Sequence, residues 1–378
     1  MKQIVFAKLP PPNNGMTIAT QVFYRMAEEE IEVETIDTSY GGMRLSQEGL
    51  KRVQYDLFFS VQFAQQLREL RKQVQDPSVS SLYLVGSPSA LGVVRNILAV
   101  SVGRSYVNRI IVHVHNGNYH QIFERGIVSM GAKYLVRNVD RFIFLSEGLS
   151  QRMSGYIPSQ KRSVVRNTID KCVRCTKDEV VQKIHSRSQR TKLRILFLSN
   201  MISSKGYKDV ARAISHIKSQ SSELSLHANL IGEWPDEHSK DEFHTFLNRE
   251  GIADVCMVHG GISNRSQIKD VLLKTDVFLL PTYYPNEAQP LSIIEAMNAA
   301  TPVVATEHMS IPEYVIDGEN GYLVNKQAPR EIADAIRDLS ETTNWKAKAR
   351  RARRTYEEMH SPSSVKKQFL QALESNGE

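Results

Sequence analysis

The stretch PTYYPNEAQPLSIIEAMNAATPVVAT, residues 281–306, places two glutamates, Glu287 and Glu295, on either side of Pro290. The apolar residues before it predict a buried strand, and the residues from Pro290 onward predict a helix over 290–299. Proline suits the first position of a helix because the N–H that it lacks would have no partner there. A helix start with free N–H groups is a site for a phosphate or for sugar hydroxyls. A carboxylate accepts hydrogen bonds at two oxygens, which suits the paired hydroxyls of a ribose.

Apolar, β-branched runs alternate with helical patterns on both sides of this stretch. Nearly continuous apolar runs are typical of parallel strands that are buried on both faces, and their alternation with helices indicates βαβ units. Two such series predict an α/β chain with two Rossmann-like, doubly wound parallel-sheet domains. The predicted strands cover residues 3–7, 32–37, 81–86, 109–115, 141–146 and 163–167 in the first series, and 193–199, 226–232, 255–260, 276–281, 302–306 and 321–324 in the second.

The domain boundary is expected between the two series. We predict an N-terminal domain over 1–170, a polar and charged linker over 171–192 that contains no strand and could contain a short helix, and a C-terminal domain over 193–345. A helical segment, 346–378, is expected to pack back toward the N-terminal domain. Ligands of open parallel sheets bind beyond the carboxyl ends of the strands. The expected active site is therefore a cleft across which the two domains face each other.

The composition is that of a soluble enzyme, with 41% apolar and 24% charged residues among 378. No run reaches the roughly 18–20 apolar residues that span a bilayer, and the N-terminus lacks the pattern of a signal peptide. Three cysteines fit a reducing compartment. Cys172 and Cys175 form a lone CxxC that has no second ligand pair for zinc, so they are expected to be unpaired. We expect a cytoplasmic protein, with a peripheral contact at the inner face of the cytoplasmic membrane as a further expectation.

The net charge of +7 lies in the N-terminal half of the chain. Residues 1–180 hold 23 Lys and Arg against 16 Asp and Glu, while residues 181–378 hold 25 of each. This excess suits an anionic partner such as a phosphorylated lipid or a membrane surface, or it is a basic, soluble surface only. No nucleic-acid signature accompanies it. The helical stretches 59–74 and 122–139 carry cations among apolar residues, and either could rest on an anionic membrane or pack on the sheet as an ordinary amphipathic helix.

The motifs after Glu287 resemble the signature of glycosyltransferase family 4. They are EAQPLSIIEAM, TPVVAT and IPEYVIDGENGYLV, in that order along residues 287–324. The resemblance covers most of the C-terminal domain and, more loosely, the N-terminal one. It implies the two-domain GT-B fold and a retaining transfer of a sugar from a nucleotide-diphosphate sugar, with UDP favoured over GDP. It also implies a saccharide or polyprenyl-diphosphate-linked acceptor in polysaccharide or glycolipid biosynthesis, and no metal or other cofactor.

The resemblance also implies roles for residues of the C-terminal domain. Glu295 would bind the ribose of the donor, and Glu287 would lie beside the donor sugar near its anomeric centre. Lys205 matches a lysine directed at the diphosphate, whereas Asn200 stands where an arginine is usual, and Ala300 stands where a glycine is common. The backbone of four successive residues would hold the sugar hydroxyls or the diphosphate: Ala288, Gln289, Pro290 and Leu291.

In the N-terminal domain, His115 ends a predicted strand and matches the active-site histidine of the family, although His113 is an alternative match. Gly15 would let the backbone approach the donor phosphate or the acceptor, or it belongs to an ordinary turn after a strand. Asn167 is expected to have a structural role at the end of the domain. A metal site of three histidines, with His120 as the third, is disfavoured by these positions in the fold.

The implied mechanism is a front-face attack in which the leaving phosphate takes the proton of the acceptor. Lys205 and the N-terminus of the helix that begins at Pro290 would neutralise the diphosphate. The two glutamates are not expected to form the acid–nucleophile pair of a glycoside hydrolase, because one of them belongs to the nucleotide. Two alternatives stay open: a sugar-nucleotide epimerase or phosphorylase on the same fold, and a non-catalytic nucleotide-binding scaffold, which Asn200 favours.

Overall fold

The computed structural model describes residues 2–11, 14–39, 50–220 and 224–374, without the side chains of 50–60 and 374. The chain divides into two compact units. Unit 1 comprises Met1–Arg166 and Lys366–Glu378, and unit 2 comprises Asn167–Val365. Part of the loop before Gly15 and the last residues of the predicted C-terminal segment lie outside the described residues.

Unit 1 is built on a parallel sheet with the strand order β2-β1-β3-β4-β5-β6. Every residue of β1 is buried, as expected for a central strand covered on both faces, whereas the edge strand β2 is mostly exposed. The six strands of this sheet are β1 (Lys2–Ala7), β2 (Glu32–Asp37), β3 (Val79–Gly86), β4 (Arg109–Val114), β5 (Arg141–Phe144) and β6 (Arg162–Val164).

Unit 2 is built on a second parallel sheet with the strand order β12-β11-β10-β7-β8-β9. The apolar strands β10 and β11 are buried throughout and lie next to each other, so the loops that leave their carboxyl ends are neighbours. The strands are β7 (Leu193–Leu198), β8 (Leu226–Ile231), β9 (Cys256–His259), β10 (Val277–Leu280), β11 (Val303–Thr306) and β12 (Gly321–Val324).

Helices connect the strands in both units, so the chain alternates as the sequence predicts. They are α1 (Gly15–Glu28), α2 (Leu50–Val74), α3 (Ala90–Gly103), α4 (Gln121–Glu124), α5 (Gly126–Asn138), α6 (Glu147–Gln151), α7 (Lys177–Arg187), α8 (Tyr207–Gln220), α9 (Glu237–Arg249), α10 (Ser266–Leu273), α11 (Leu291–Asn298), α12 (Pro329–Ser340), α13 (Thr342–Thr355) and α14 (Pro362–Glu374). None of the helices among the described residues is long and apolar enough to cross a bilayer.

Residues 171–192 differ from the predicted linker, because they pack as part of unit 2. They contain α7, whose start is capped by Thr176 in a capping box with Glu179. Val180 belongs to the core of this unit. The side chain of Lys183 is also buried, and its Nζ donates hydrogen bonds to the carbonyls of Leu272 and Ala299 at 2.8 and 2.7 Å. The polar composition that suggested a linker therefore belongs to a helix that ties together the ends of α10 and α11.

The C-terminal segment is shared between the units. Residues up to 365 group with unit 2, and only 366–378 group with unit 1. In unit 1, the ring of Phe369 lies 5.9 Å from that of Phe23 and 6.4 Å from that of Tyr83, measured between centroids. Lys366 forms ion pairs with Glu29 and Glu30 at 3.0 and 2.5 Å. The last helix thus changes unit near its first turn, which its uniform helical composition does not indicate.

Candidate active site

The loop between β10 and α11 carries the two glutamates. The helix begins at Leu291, and Pro290 is its N-cap rather than its first residue, so the predicted helix over 290–299 is one residue too long at each end. Pro290 has a ψ of 119°, which is not helical. No side chain caps this end of α11. The first backbone N–H groups of the helix are therefore available to an acceptor such as a phosphate oxygen.

Glu287 and Lys205 form a close ion pair at the start of this loop. Lys205 Nζ lies 2.5 Å from Glu287 Oε2, and the two side chains are only 13% and 10% exposed. Thr282 donates a second hydrogen bond to the same carboxylate oxygen at 3.2 Å. The ammonium also lies 4.8 Å from the centre of the Tyr284 ring, within the range of a cation–π contact. Two residues 82 positions apart in the sequence therefore form one charge-neutral unit.

A glycine brings Lys205 to this position. Gly206 has a φ of +84°, and a Cβ added there would lie 2.4 Å from the carbonyl oxygen of Pro281. Only glycine combines this left-handed backbone with so close an approach. The turn that carries Lys205 is thereby held against the carboxyl end of β10.

The segment that follows β11 fixes the glutamate loop from the other side. The hydroxyl of Thr306 donates a hydrogen bond to the carbonyl of Thr282, and the hydroxyl of Ser310 donates one to the carbonyl of Ala288. His308 Nε2 lies 2.9 Å from the carbonyl oxygen of Tyr284. These contacts use the carbonyls on both sides of Glu287, so the loop is held in place by the fold without a ligand.

Glu295 is paired with Arg265, a residue that the sequence did not single out. The carboxylate of Glu295 is 3% exposed, and the guanidinium of Arg265 donates a hydrogen bond to its Oε1. Arg265 lies in the loop between β9 and α10, so it also follows the carboxyl end of a strand. That position is the signal which could have identified it. Glu295 therefore has a fixed cation of its own, separate from the Lys205 pair.

Gln289 forms hydrogen bonds with Asn167 of the same unit. Its side-chain Oε1 accepts a hydrogen bond from the Asn167 backbone N–H at 2.6 Å, and Asn167 Nδ2 donates to its carbonyl at 2.9 Å. Asn167 thus has the structural role that the sequence suggested, and it acts by holding the residue before Pro290. The carbonyls of Ala288 and Gln289 thus both have partners within the protein.

Asn200 lies exposed two residues after β7. Its side chain makes no hydrogen bond within the described ranges, and its carbonyl accepts one from the Ile202 N–H at 2.8 Å. No charge stands at the position where the family resemblance leads one to expect an arginine. At the other edge of the sheet, before β11, Ala300 has a φ of 49°, where a glycine would be free of strain.

In unit 1, the two histidines at the end of β4 lie side by side. The ring centroids of His113 and His115 are 4.1 Å apart, and His113 Nδ1 is hydrogen-bonded to the Tyr83 hydroxyl at 2.6 Å. Burial lowers the pKa of His115 to about 3 and also lowers that of His113, so both rings are neutral. His115 Nε2 is buried and has no partner among the described residues. His113 Nε2 is likewise buried without a partner among the described residues, so this nitrogen does not separate the two candidates. His113 is fully buried and held by Tyr83 through Nδ1, whereas His115 is only half-buried, which favours His115 as the ring that a ligand can reach.

Gly15 is the first residue of α1, directly after the N-cap Asn14, whose side chain accepts from the N–H groups of Met16 and Thr17 at 3.1 Å. A Cβ at Gly15 would meet nothing within 4 Å among the described residues, so none of them requires glycine there. Across the described residues, no group of three or more His, Cys, Asp or Glu side chains is placed to hold a metal ion. Independence of metal stays a prediction.

A groove of about 890 Å³ opens on unit 2 between α10 and one face of β7, β8 and β9. It is lined by side chains that include Arg194, His227, Asn229, His259 and Lys274. None of the site residues predicted from the sequence lines it. The candidate site is therefore defined by its side-chain pairs at the strand ends and not by this groove.

The fold of the whole chain is shared with solved structures of HepE from Anabaena. The complex of HepE with UDP superposes with a TM-score of 0.73 at 16% identity, over 100% of both chains. The complex with UDP-glucose gives 0.72, over 99% of this chain and 100% of HepE. At this identity the likeness is one of fold alone. The two six-stranded parallel sheets with their flanking helices have the GT-B fold of glycosyltransferases, as the sequence predicts.

Residues 180–358 match the model of the family described as glycosyl transferases group 1. Among curated proteins, it is 25% identical over 291 residues to WcaL of Escherichia coli (strain K12), which is named as a colanic acid biosynthesis glycosyltransferase. The Salmonella typhimurium protein of the same name is 24% identical over 283 residues. These alignments take in 75% and 71% of this chain, and 66% and 63% of the two relatives. The chain thus spans just under two thirds of the length of these relatives.

Proposed function

We propose that this protein is a retaining glycosyltransferase that moves a hexose-type sugar from a nucleotide-diphosphate sugar to a saccharide or lipid-linked saccharide. The observation that carries the proposal is the arrangement around the start of α11. Two buried glutamates, one before this uncapped helix start and one within the helix, each pair with a cation. The match of residues 180–358 to the glycosyl transferases group 1 family supports the same function. The name of the WcaL relatives supports an acceptor in polysaccharide assembly.

Unit 2 would hold the donor. In the proposal, Glu295 accepts hydrogen bonds from the ribose hydroxyls, which suits a carboxylate with one oxygen bound to Arg265 and one left to share. The diphosphate lies at the start of α11, where the N–H group of Leu291 and the helix dipole favour an anion. Lys205 supplies the fixed charge. Such preorganised groups act most strongly on the charge that develops in the transition state.

The reaction breaks the bond between the anomeric carbon and the diphosphate oxygen, and the electron pair leaves with the diphosphate. The acceptor hydroxyl attacks from the same face, forms the new glycosidic bond and gives its proton to the departing phosphate oxygen. Configuration is retained. The proposal assigns the neutralisation of the leaving group to Lys205 and the helix start rather than to a metal ion.

Glu287 is assigned to the binding of the donor sugar and not to nucleophilic attack. Its carboxylate is bound at one oxygen by both Lys205 and Thr282. A carboxylate held in this way has a reduced electron density for attack but can still accept hydrogen bonds from sugar hydroxyls. In unit 1, the neutral His115 is assigned to a hydrogen bond with the transferred sugar, because its buried Nε2 has no partner in the part of the chain that the structure describes.

We favour uridine diphosphate as the leaving group. The complexes of HepE with UDP and UDP-glucose, on the same fold, support this choice over GDP.

The proposal is tested by thermal unfolding with UDP, GDP and their sugars, followed by turnover assays with saccharide and polyprenyl-diphosphate-linked acceptors. A nucleotide at about a hundred times its Kd adds roughly 2.7 kcal/mol to the folded state, which is a rise in Tm of about 5–10 °C. Glu295→Gln should abolish most of this rise. Glu341→Gln, which changes an exposed carboxylate of the same unit, is the matched control and should keep it.

Each outcome separates the proposal from its alternatives. Release of UDP that depends on a saccharide acceptor supports the transferase. A Tm rise without acceptor-dependent turnover would point to a non-catalytic nucleotide-binding scaffold. Conversion of the sugar nucleotide without any saccharide, or only with inorganic phosphate, would point to an epimerase or a phosphorylase.

A further inference from the structure

Two neighbouring helices of unit 1 present large apolar side chains to solvent. On α5, Ile127 is 88% exposed and Met130 is 71% exposed, and on α3, Leu91 is 71% exposed and Val94 is 52% exposed. Single exposed apolar residues are common on soluble proteins and need no explanation. Four such residues on adjacent helix turns are a different feature, because contiguous exposed apolar surface marks an interaction site.

The two helices pack side by side in the same direction, which brings these residues together. Arg125, just before α5, donates a hydrogen bond to the carbonyl of Pro88, just before α3, at 3.3 Å. About two turns further along, a Cβ at Gly131 would lie 2.7 Å from the side chain of Ile97, so the backbone of α5 lies directly against α3. Residues three apart on a helix share a face. The apolar pairs of the two helices therefore lie at the same level of the packed helices.

The charge around these residues is positive. Neither α3 nor α5 contains an acidic residue. Lys133 and Arg137 are exposed on α5, and neither side chain forms an ion pair within the described residues. Of the two flanking acidic residues, Asp140 is paired with Arg104 at 2.8 Å, and Glu124 accepts a hydrogen bond from the Tyr156 hydroxyl. An apolar surface bordered by uncompensated cations suits an anionic lipid surface.

We infer that these residues form a surface that docks on an anionic phospholipid bilayer. This α3–α5 patch comprises the apolar and cationic side chains just described: Leu91, Val94, Ile127, Met130, Arg125, Lys133 and Arg137. The apolar side chains enter the boundary between headgroups and acyl chains, and the cations contact lipid phosphates. A second copy of the chain is a poorer occupant, because a two-fold contact through this patch would bring like charges together.

The location of the patch suggests a role for membrane docking in binding the acceptor, and this role rests on the proposed function. The helices α3 and α5 follow β3 and β4, so they begin at the edge of the sheet where His115 lies. A bilayer held against this end of unit 1 would present a lipid-linked saccharide close to the histidine assigned to the transferred sugar. Binding to the bilayer itself requires neither donor nor acceptor.

The test is co-sedimentation of the full chain with vesicles made of equal parts of phosphatidylcholine and phosphatidylglycerol, and with vesicles of phosphatidylcholine alone. The wild type should bind the anionic vesicles and lose most of this binding in high salt. Ile127→Ser with Met130→Ser should lower the partition coefficient at least tenfold, by about the burial of one aliphatic side chain. Lys133→Gln should lower it about fivefold.

Val181→Ser and Lys177→Gln are the matched controls. They change an exposed aliphatic residue and an exposed lysine on α7 of unit 2, and they should bind the vesicles as the wild type does. The inference is overturned if the wild type stays in the supernatant, or if the patch variants bind as tightly as the controls. It is also overturned if sedimentation velocity shows a dimer that Ile127→Ser with Met130→Ser abolishes. Vesicle binding by a chain that binds no nucleotide would refute the proposed function and leave the docking surface standing.

Discussion

Removing either partner of the ion pair between Lys205 and Glu287 alone should lower the free energy of unfolding of unit 2. Both side chains are nearly buried, and the Nζ–Oε2 distance is 2.5 Å. At an effective dielectric constant of about 20, two unit charges at this distance attract each other by roughly 6–7 kcal/mol, and desolvation cancels about half of that. Lys205→Met or Glu287→Gln should therefore each destabilise unit 2 by about 3 kcal/mol, because each leaves a buried charge without its partner.

The double variant Lys205→Met with Glu287→Gln is the informative one. It removes both charges, so it should cost about 3 kcal/mol less than the sum of the two single changes. Urea unfolding followed by tryptophan fluorescence reports on this unit, because both tryptophans of the chain, Trp234 and Trp345, lie in Asn167–Val365. Gln preserves the hydrogen bond from Thr282, and Met preserves the apolar stem of the lysine.

An exposed ion pair of the same unit provides the control cycle. Lys208 and Glu242 are 3.2 Å apart, but their side chains are 30% and 61% exposed, so their coupling energy should stay below about 1 kcal/mol. If the Lys205 and Glu287 changes are additive to within about 0.5 kcal/mol, the buried charge-neutral unit does not exist in solution. The electrostatic argument for the donor site would then fail.

Three further predictions concern the same unit. Burial lowers the pKa of Lys183 from 10.5 to about 7. Between these values the unfolded chain binds more protons, so stability should rise by roughly 2–3 kcal/mol from pH 6 to pH 9. Lys183→Met should lose this rise in urea unfolding at the two pH values, and equal slopes for both proteins would contradict it. Ala300→Gly should relieve the left-handed strain and raise Tm by about 2–4 °C, whereas Ala299→Gly, at a φ of −86°, should not. Asn200→Arg should tighten the binding of UDP about five- to tenfold, as measured by calorimetry, because the added charge contacts the diphosphate. The binding of uridine, which has no diphosphate, should not change. An equal gain for both ligands would refute this placement of the diphosphate.

The sheets were predictable from the sequence because their strands are buried runs. All twelve predicted strands are present, with bounds that differ by no more than three residues. The predicted ends tend to run too far, as at 141–146, where β5 stops at Phe144. Apolar character continues past the last ladder hydrogen bond, because Leu145 is buried although it is no longer in the sheet. A hydrophobic pattern indicates which residues are buried, whereas the end of a strand depends on where its hydrogen bonds to the neighbouring strand stop.

The packing of α7 into unit 2 was not predictable by the same reasoning. In α7, the polar residues Lys183 and Arg187 are buried. Lys183 is buried because it meets three acceptors, the third being Thr301 Oγ1 at 2.5 Å. Arg187 lies 5.8 Å from the ring centre of Trp345. A pattern that counts such residues as solvent-facing assigns the helix to a linker. Only the tertiary partners, roughly 90 to 160 positions away, explain the burial.

The charged residues of the candidate site were also only partly predictable from the sequence. The sequence identified Glu287, Glu295 and Lys205, and it registered the missing arginine at Asn200. It did not identify Arg265, because that residue acts on Glu295 from a loop 30 positions away. Each glutamate thus carries its own cation, so the pairs are balanced before any ligand arrives. On the proposed function, the incoming diphosphate contacts Lys205 while this lysine stays bound to Glu287 Oε2, and the other carboxylate oxygen of Glu287 accepts the sugar hydroxyls. The ion pair then persists in the donor complex, and it keeps both side chains in place before the donor binds.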